Sequence, residues 1–117
     1  MTQITRIDPG ARMSEATIYG DRIYSAGVVA DKTLGASVFE QTTEVLQQID
    51  ALLTSNGSDK TKILKANIWL ADISTFAEMN KAWDAWVVAG QAPARATVEA
   101  KLASPDYAVE IMIEAVK

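Results

Sequence analysis

Two helical stretches set among several strands constrain this chain more than anything in its composition. Phe39, Val45, Leu46, Ile49, Leu52 and Leu53 recur at helical spacing, and Gln41, Glu44, Gln47, Gln48 and Asp50 fill the other side. Ser37-Val38-Phe39-Glu40 opens that helix as a capping box, and Asn56-Gly57 closes it. Thr75-Phe76-Ala77-Glu78 opens a second helix in the same way, running to about Val88, with Phe76, Met79, Trp83, Trp86 and Val87 as its buried stripe. The other regular stretches alternate with period two, which predicts strands. They are Ile4 to Ile7, a hairpin of 17–19 and 22–26 around Gly20-Asp21, Ile63 to Leu70, the run after Pro93, and Val109 to Val116. Two helices cover only one face of such a sheet. The pattern therefore predicts an α+β sandwich, one mixed sheet under one helical layer, in a single domain over residues 1–117.

Leu64, Ile68, Val98, Val109, Ile111 and Ile113 are expected to turn toward the helices. The opposite face then carries Ile63, Trp69, Met112 and Val116 mixed with Arg95, Thr97, Glu99 and Glu110. That much apolar area is not left in water, so a homo-oligomer is expected to bury it, with the polar residues lining a cleft at the seam.

Pro93 breaks the second helical pattern, and Arg95 follows as a guanidinium beside a rigid turn. A planar, permanently charged fork suits a carboxylate or a phosphate; the alternative is an ion pair with Glu99 or another surface acid. Glu110 is expected on a neighbouring strand facing the same way. The two are either the working pair of the cleft or a structural ion pair locking the oligomer. Gly27 marks a point where the backbone bulges or approaches a ligand closely. Asp106 and Lys60 read as solvated loop charges.

The chain has no Cys and no His. Disulfides, thiolate nucleophiles, Ser-His-Asp triads and the usual zinc, copper or haem ligand sets are thereby removed, so no metal is expected and no redox chemistry is implied. Catalysis has to rely on carboxylates, hydroxyls, Lys, Arg, backbone dipoles and water. A net charge of −4 and scattered basic residues disfavour nucleic acid. Apolar runs fall far short of the ~20 residues of a membrane span, so no membrane partner is expected. The opening Met-Thr-Gln-Ile-Thr-Arg shows no basic-then-apolar leader, which makes a cytoplasmic location the default expectation.

The stretch from Phe76-Ala77-Glu78-Met79-Asn80 through Trp86, followed by Pro93-Ala94-Arg95-Ala96-Thr97-Val98-Glu99, resembles the signature of the RidA/YjgF superfamily of small imine deaminases. Its tryptophan-rich form is similar to the YoaB-like branch, and Ala26-Gly27, Gln41-Thr42 and the spacing from Arg95 to Glu110 support the likeness. The resemblance implies a chorismate-mutase-like fold, a homotrimer with clefts between subunits, and no cofactor. It further implies hydrolysis of 2-imino and enamine acids, such as 2-aminoacrylate, to 2-keto acids and ammonia. In that scheme Arg95 binds the substrate carboxylate, and Glu110 holds or deprotonates the attacking water and passes a proton to the leaving ammonia. Backbone groups around Gly27 and Thr97 orient the imine nitrogen and the water. Three residues depart from the family archetype: Thr97 stands for a Cys, Ala26 for a Ser, and Met13 for an aromatic residue of the first loop. These alter the pocket wall and with it the substrate preference. The alternative implied is a non-catalytic trimer that binds small carboxylates or metabolites in a regulatory role. RNA cleavage, suggested for some relatives, ranks last for a chain of pI 4.7 without His.

Overall fold

The computed structural model describes residues 3–117; Met1 and Thr2, the start of the stretch read for a leader, lie outside the described residues. The elements are β1 (Thr5–Ile7), β2 (Ala16–Tyr19), β3 (Arg22–Ser25), α1 (Val38–Ser55), β4 (Ile63–Leu70), α2 (Phe76–Trp86), β5 (Ala94–Glu99) and β6 (Val109–Val116), with single 3-10 turns ahead of β4 and α2. The strands form one sheet in the order β1-β2-β3-β6-β4-β5. Every pairing is antiparallel except β4 with β5, which are joined through α2 as a parallel pair must be. The α+β class and the order of elements are those the pattern predicts.

The helix ends show which side chains hold the layer together. Ser37 Oγ accepts from Glu40 N at 3.2 Å, and Ser58 N donates back to Leu53 O at 2.9 Å past Gly57, whose φ is +78°. The second capping box does not form. Thr75 caps nothing with its side chain, and Glu78 instead reaches across to accept from Phe39 N at 2.9 Å, placing an acid at the positive end of α1. Lys60 is not a free loop charge either: its Nζ donates to Trp86 O at 2.6 Å and closes the C-terminus of α2.

The core lies between the layers. Val45, Leu46, Ile49, Leu53, Met79 and Trp83 pack against Ala66, Ile68, Leu70, Val109, Ile111 and Ile113. Each large side chain so buried contributes roughly 1.5–3 kcal/mol. Gln41, expected on the polar side of α1, is 1% exposed. Its Nε2 donates to Ala36 O and Asp106 O, and its Oε1 accepts from Ala108 N, so the burial leaves no orphan amide.

Two strand faces differ from the expectation. A bulge between Ile63 and Lys65 puts two β4 residues against one of β6. Ile63 is thereby 5% exposed and joins the core, while Leu64 is 43% exposed. The larger correction concerns β5. It pairs in parallel with β4, Ala66 opposite Arg95, Ile68 opposite Thr97 and Leu70 opposite Glu99. Cross-strand partners share a face, so Arg95, Thr97 and Glu99 lie on the helix side and Val98 lies with Trp69 on the open side. β4 separates β5 from β6, and Glu110 pairs with Trp69. The expected neighbouring strands and shared face of Arg95 and Glu110 are therefore overturned. Trp69, Met112, Val116 and Glu110 do occupy the open face, joined there by Tyr19, Tyr24 and Val98.

Candidate functional site

The residues singled out in the sequence fall into two separate half-sites. The first is built on β5 and α2. Arg95 is half-buried, and its Nη1 donates to Asn80 Oδ1 at 2.8 Å. The guanidinium carbon lies 5.1 Å from the Trp83 ring centre and 5.7 Å from that of Phe76. Phe76, Asn80 and Trp83 stand at i, i+4 and i+7 on α2 and so share the face turned toward β5. The suspected ion pair with Glu99 is not made: Glu99 lies four residues along an extended strand, and its Oε1 accepts from Ile73 N at 3.1 Å. The partner of Arg95 is an amide and not a carboxylate, so its charge is held in place without being neutralised. Two residues along, Thr97 Oγ1 is sealed from solvent with no hydrogen-bond partner among the described residues.

The second half-site lies across the sheet, where the chain leaving β3 meets β6. Val28 N donates to Ile111 O at 2.8 Å, and Ile111 N returns to Val28 O at 3.0 Å. This bridge brings Gly27 under Glu110, and a Cβ on Gly27 would collide with the Glu110 carboxylate. The close approach expected at Gly27 is thus made by a side chain of the same chain. Ser25 Oγ accepts from Ile113 N at 2.9 Å and donates to Ala26 O at 2.8 Å, which commits that hydroxyl to the fold. Met13 and Ala26, with Thr17 and Tyr24, line a hollow of about 280 Å³ beside this point. Met13, Ala26, Gly27 and Glu110 therefore gather on one side, and Arg95 with Thr97 on the other.

The three residues that frame Arg95 carry no individual role in the sequence pattern: Asn80 belongs to the family signature, and Phe76 and Trp83 to the apolar stripe of the second helix. The legible signal was their i, i+4, i+7 spacing on the helix directly preceding the arginine. A further carboxylate, Glu44, is clamped for structural reasons. Partial desolvation pushes its pKa upward, but the Thr33 hydroxyl at 2.6 Å and the N–H groups of Asp31, Lys32 and Thr33 outweigh it and hold it at about 2, against an ordinary 4.5.

A family model described as Endoribonuclease L-PSP matches residues 3–117. The chain is 54% identical over 112 residues to the RutC family protein YoaB of Escherichia coli K12, covering 96% of each. It is 51% identical over 110 residues to a RutC family protein of Haemophilus influenzae, covering 94% of this chain and 95% of that one. A crystal structure of a YjgF family member from Neisseria meningitidis superposes with a TM-score of 0.94 at 48% identity, over 98% of this chain and 95% of that one.

Proposed function

The chain belongs to the RidA/YjgF (RutC) family, and on that premise we propose that it hydrolyses reactive 2-imino and enamine acids, such as 2-aminoacrylate, to 2-keto acids and ammonia. Family membership supports a small-molecule-processing role; the particular reaction rests on the residues. The observation that carries it is the half-buried guanidinium of Arg95, held by an amide and two rings with no carboxylate to neutralise it among the described residues. Such a cation favours an incoming anion, and a charge-assisted contact contributes about 1.5–3 kcal/mol. The substrate carboxylate docks on Arg95, and a water activated by Glu110 adds to the imine carbon. The C–N bond then breaks as the nitrogen takes up protons and leaves as ammonia. Net, one imine and one water give one ketone and one ammonia.

Arg95 and Glu110 lie on opposite faces of one sheet, so a single chain does not bring them together. The open face supports an assembly that does: Tyr19, Val98 and Tyr24 are 54%, 50% and 38% exposed there. In the homotrimer we infer, β5 of one copy lies against the Glu110 side of the next, with Met13 and Ala26 walling the cleft.

The test generates 2-imino acids with an amino-acid oxidase and traps them with semicarbazide. Wild-type protein should lower trapping, and Arg95→Ala should lose about 30-fold or more of that effect, the equivalent of ~2 kcal/mol or more of carboxylate binding and positioning. Equal behaviour of wild type and Arg95→Ala would defeat the enzyme reading. Binding of a 2-keto acid without turnover would select the alternative, a regulatory carboxylate-binding trimer. That second reading is favoured by Ala26 and Met13, where the family archetype has a Ser and an aromatic residue, and by the separation of Glu110 from Arg95.

A further inference from the structure

We propose that Asn80 is a positioning residue for Arg95, and that the neutrality of its amide is what keeps the guanidinium available to a substrate anion. The inference rests on the reading of Arg95 as the carboxylate receptor. Asn80 Oδ1 accepts from Arg95 Nη1 at 2.8 Å, a direct bond from the middle of α2 to the start of β5. A guanidinium carries five N–H donors and no acceptor, so the group facing it has to present an oxygen. Either an amide or a carboxylate of the same size meets that requirement, and toward the guanidinium the difference that matters is charge. A carboxylate would complete an internal ion pair and turn the receptor into a salt bridge. The amide fixes one corner of the fork and leaves its charge for a ligand.

The rings complete the arrangement. Phe76 and Trp83 lie against the guanidinium with their faces, whose quadrupoles attract the cation but whose carbons accept no strong hydrogen bond. Every neighbour identified around the charge therefore stabilises it without occupying its donors as an anion would. Phe76 is itself 40% exposed, so the frame is open on one side. α2 reaches β5 by the chain immediately following it, which makes the frame and the receptor one local unit.

The experiment compares wild type, Asn80→Asp and Asn80→Ala, using pyruvate as the binding probe and the imine-trapping assay for turnover. Pyruvate titration is followed calorimetrically and by tryptophan fluorescence, since the Trp83 ring lies beside the guanidinium. Asn80→Asp should fold with unchanged or higher thermal stability, weaken pyruvate binding by about tenfold or more and raise KM to match, while kcat stays within roughly threefold. Asn80→Ala should lose stability and weaken binding less than Asn80→Asp, because it loosens the fork without neutralising it. A merely structural role predicts the reverse order, with Asn80→Ala the worse binder. A folded Asn80→Asp that binds pyruvate as wild type does overturns the inference while leaving the carboxylate role of Arg95 standing. A wild type that binds no pyruvate sinks that role and the inference with it.

Discussion

What Arg95 does is decided by its neighbours. The same logic separates the two hydroxyl and glycine positions nearest the half-sites. Thr97 Oγ1 is sealed and has no partner among the described residues, and a buried hydroxyl left so costs about 1–3 kcal/mol. Thr97→Val keeps the branched shape and removes the orphan. It should raise the unfolding temperature by a few degrees, about 1 kcal/mol, with KM unchanged within roughly twofold. A drop in thermal stability or a large KM rise would show that the hydroxyl has a partner in the working protein. Gly27 poses the opposite problem. A Cβ there meets the half-buried Glu110 side chain from its carboxylate back to Cγ, so that side chain has to move aside rather than the backbone. Gly27→Ala should therefore unfold within about 1 kcal/mol of wild type yet, on the proposed mechanism, lose about tenfold or more in imine hydrolysis, because the carboxylate proposed to activate the water is displaced. Unchanged turnover in that variant would remove Glu110 from the mechanism.

At the scale of the elements, α1 and β6 were readable because one period and one buried face determine them. Ser37 and Asn56-Gly57 sit at the ends of α1 where capping chemistry requires them, and Val109, Ile111 and Ile113 are all buried. β5 was readable as a strand but not in its orientation. Alternation groups Arg95, Thr97 and Glu99 without saying which way they face, and the answer depends on parallel pairing to β4 across α2. The bulge after Ile63 escaped for a similar reason: Ile63 and Leu64 are both apolar, so the pattern is indifferent to an extra residue. Asn80 was hidden because its role lies in a contact with another element. Glu44, counted only as a polar residue of α1, proves to clamp the loop from Asp31 to Thr33. Its folded pKa of about 2 lies below the ordinary 4.5, so its stabilisation is fully present above pH 4.5 and drains away as pH falls toward 2. Glu44→Gln should lower stability at pH 7 by on the order of 1 kcal/mol after allowing for solvent screening. Urea unfolding at pH 7 and pH 3 would check this, with the gap between wild type and variant narrowing at the lower pH. A gap that stays constant would mean the carboxylate's charge is not what holds the loop.

For the whole molecule, the decisive feature is that β4 stands between the strands bearing Arg95 and Glu110, with the two side chains on opposite faces. No rotamer change brings them together, since the separation is set by backbone pairing that the core itself holds. If both act on one substrate molecule, they come from different copies, and the site exists only in the assembly. This makes complementation the sharpest test. Arg95→Ala and Glu110→Gln proteins, each alone, should be inactive in imine hydrolysis. Unfolded and refolded together in equal amounts, they should recover about a quarter of wild-type activity, because random mixing gives that share of seams with both residues intact. Mixing without subunit exchange should recover nothing, which controls for residual activity. If the refolded mixture stays inactive while light scattering shows full reassembly, Arg95 and Glu110 do not meet across a seam, and Glu110 has to yield its place to another base on the Arg95 side of the sheet.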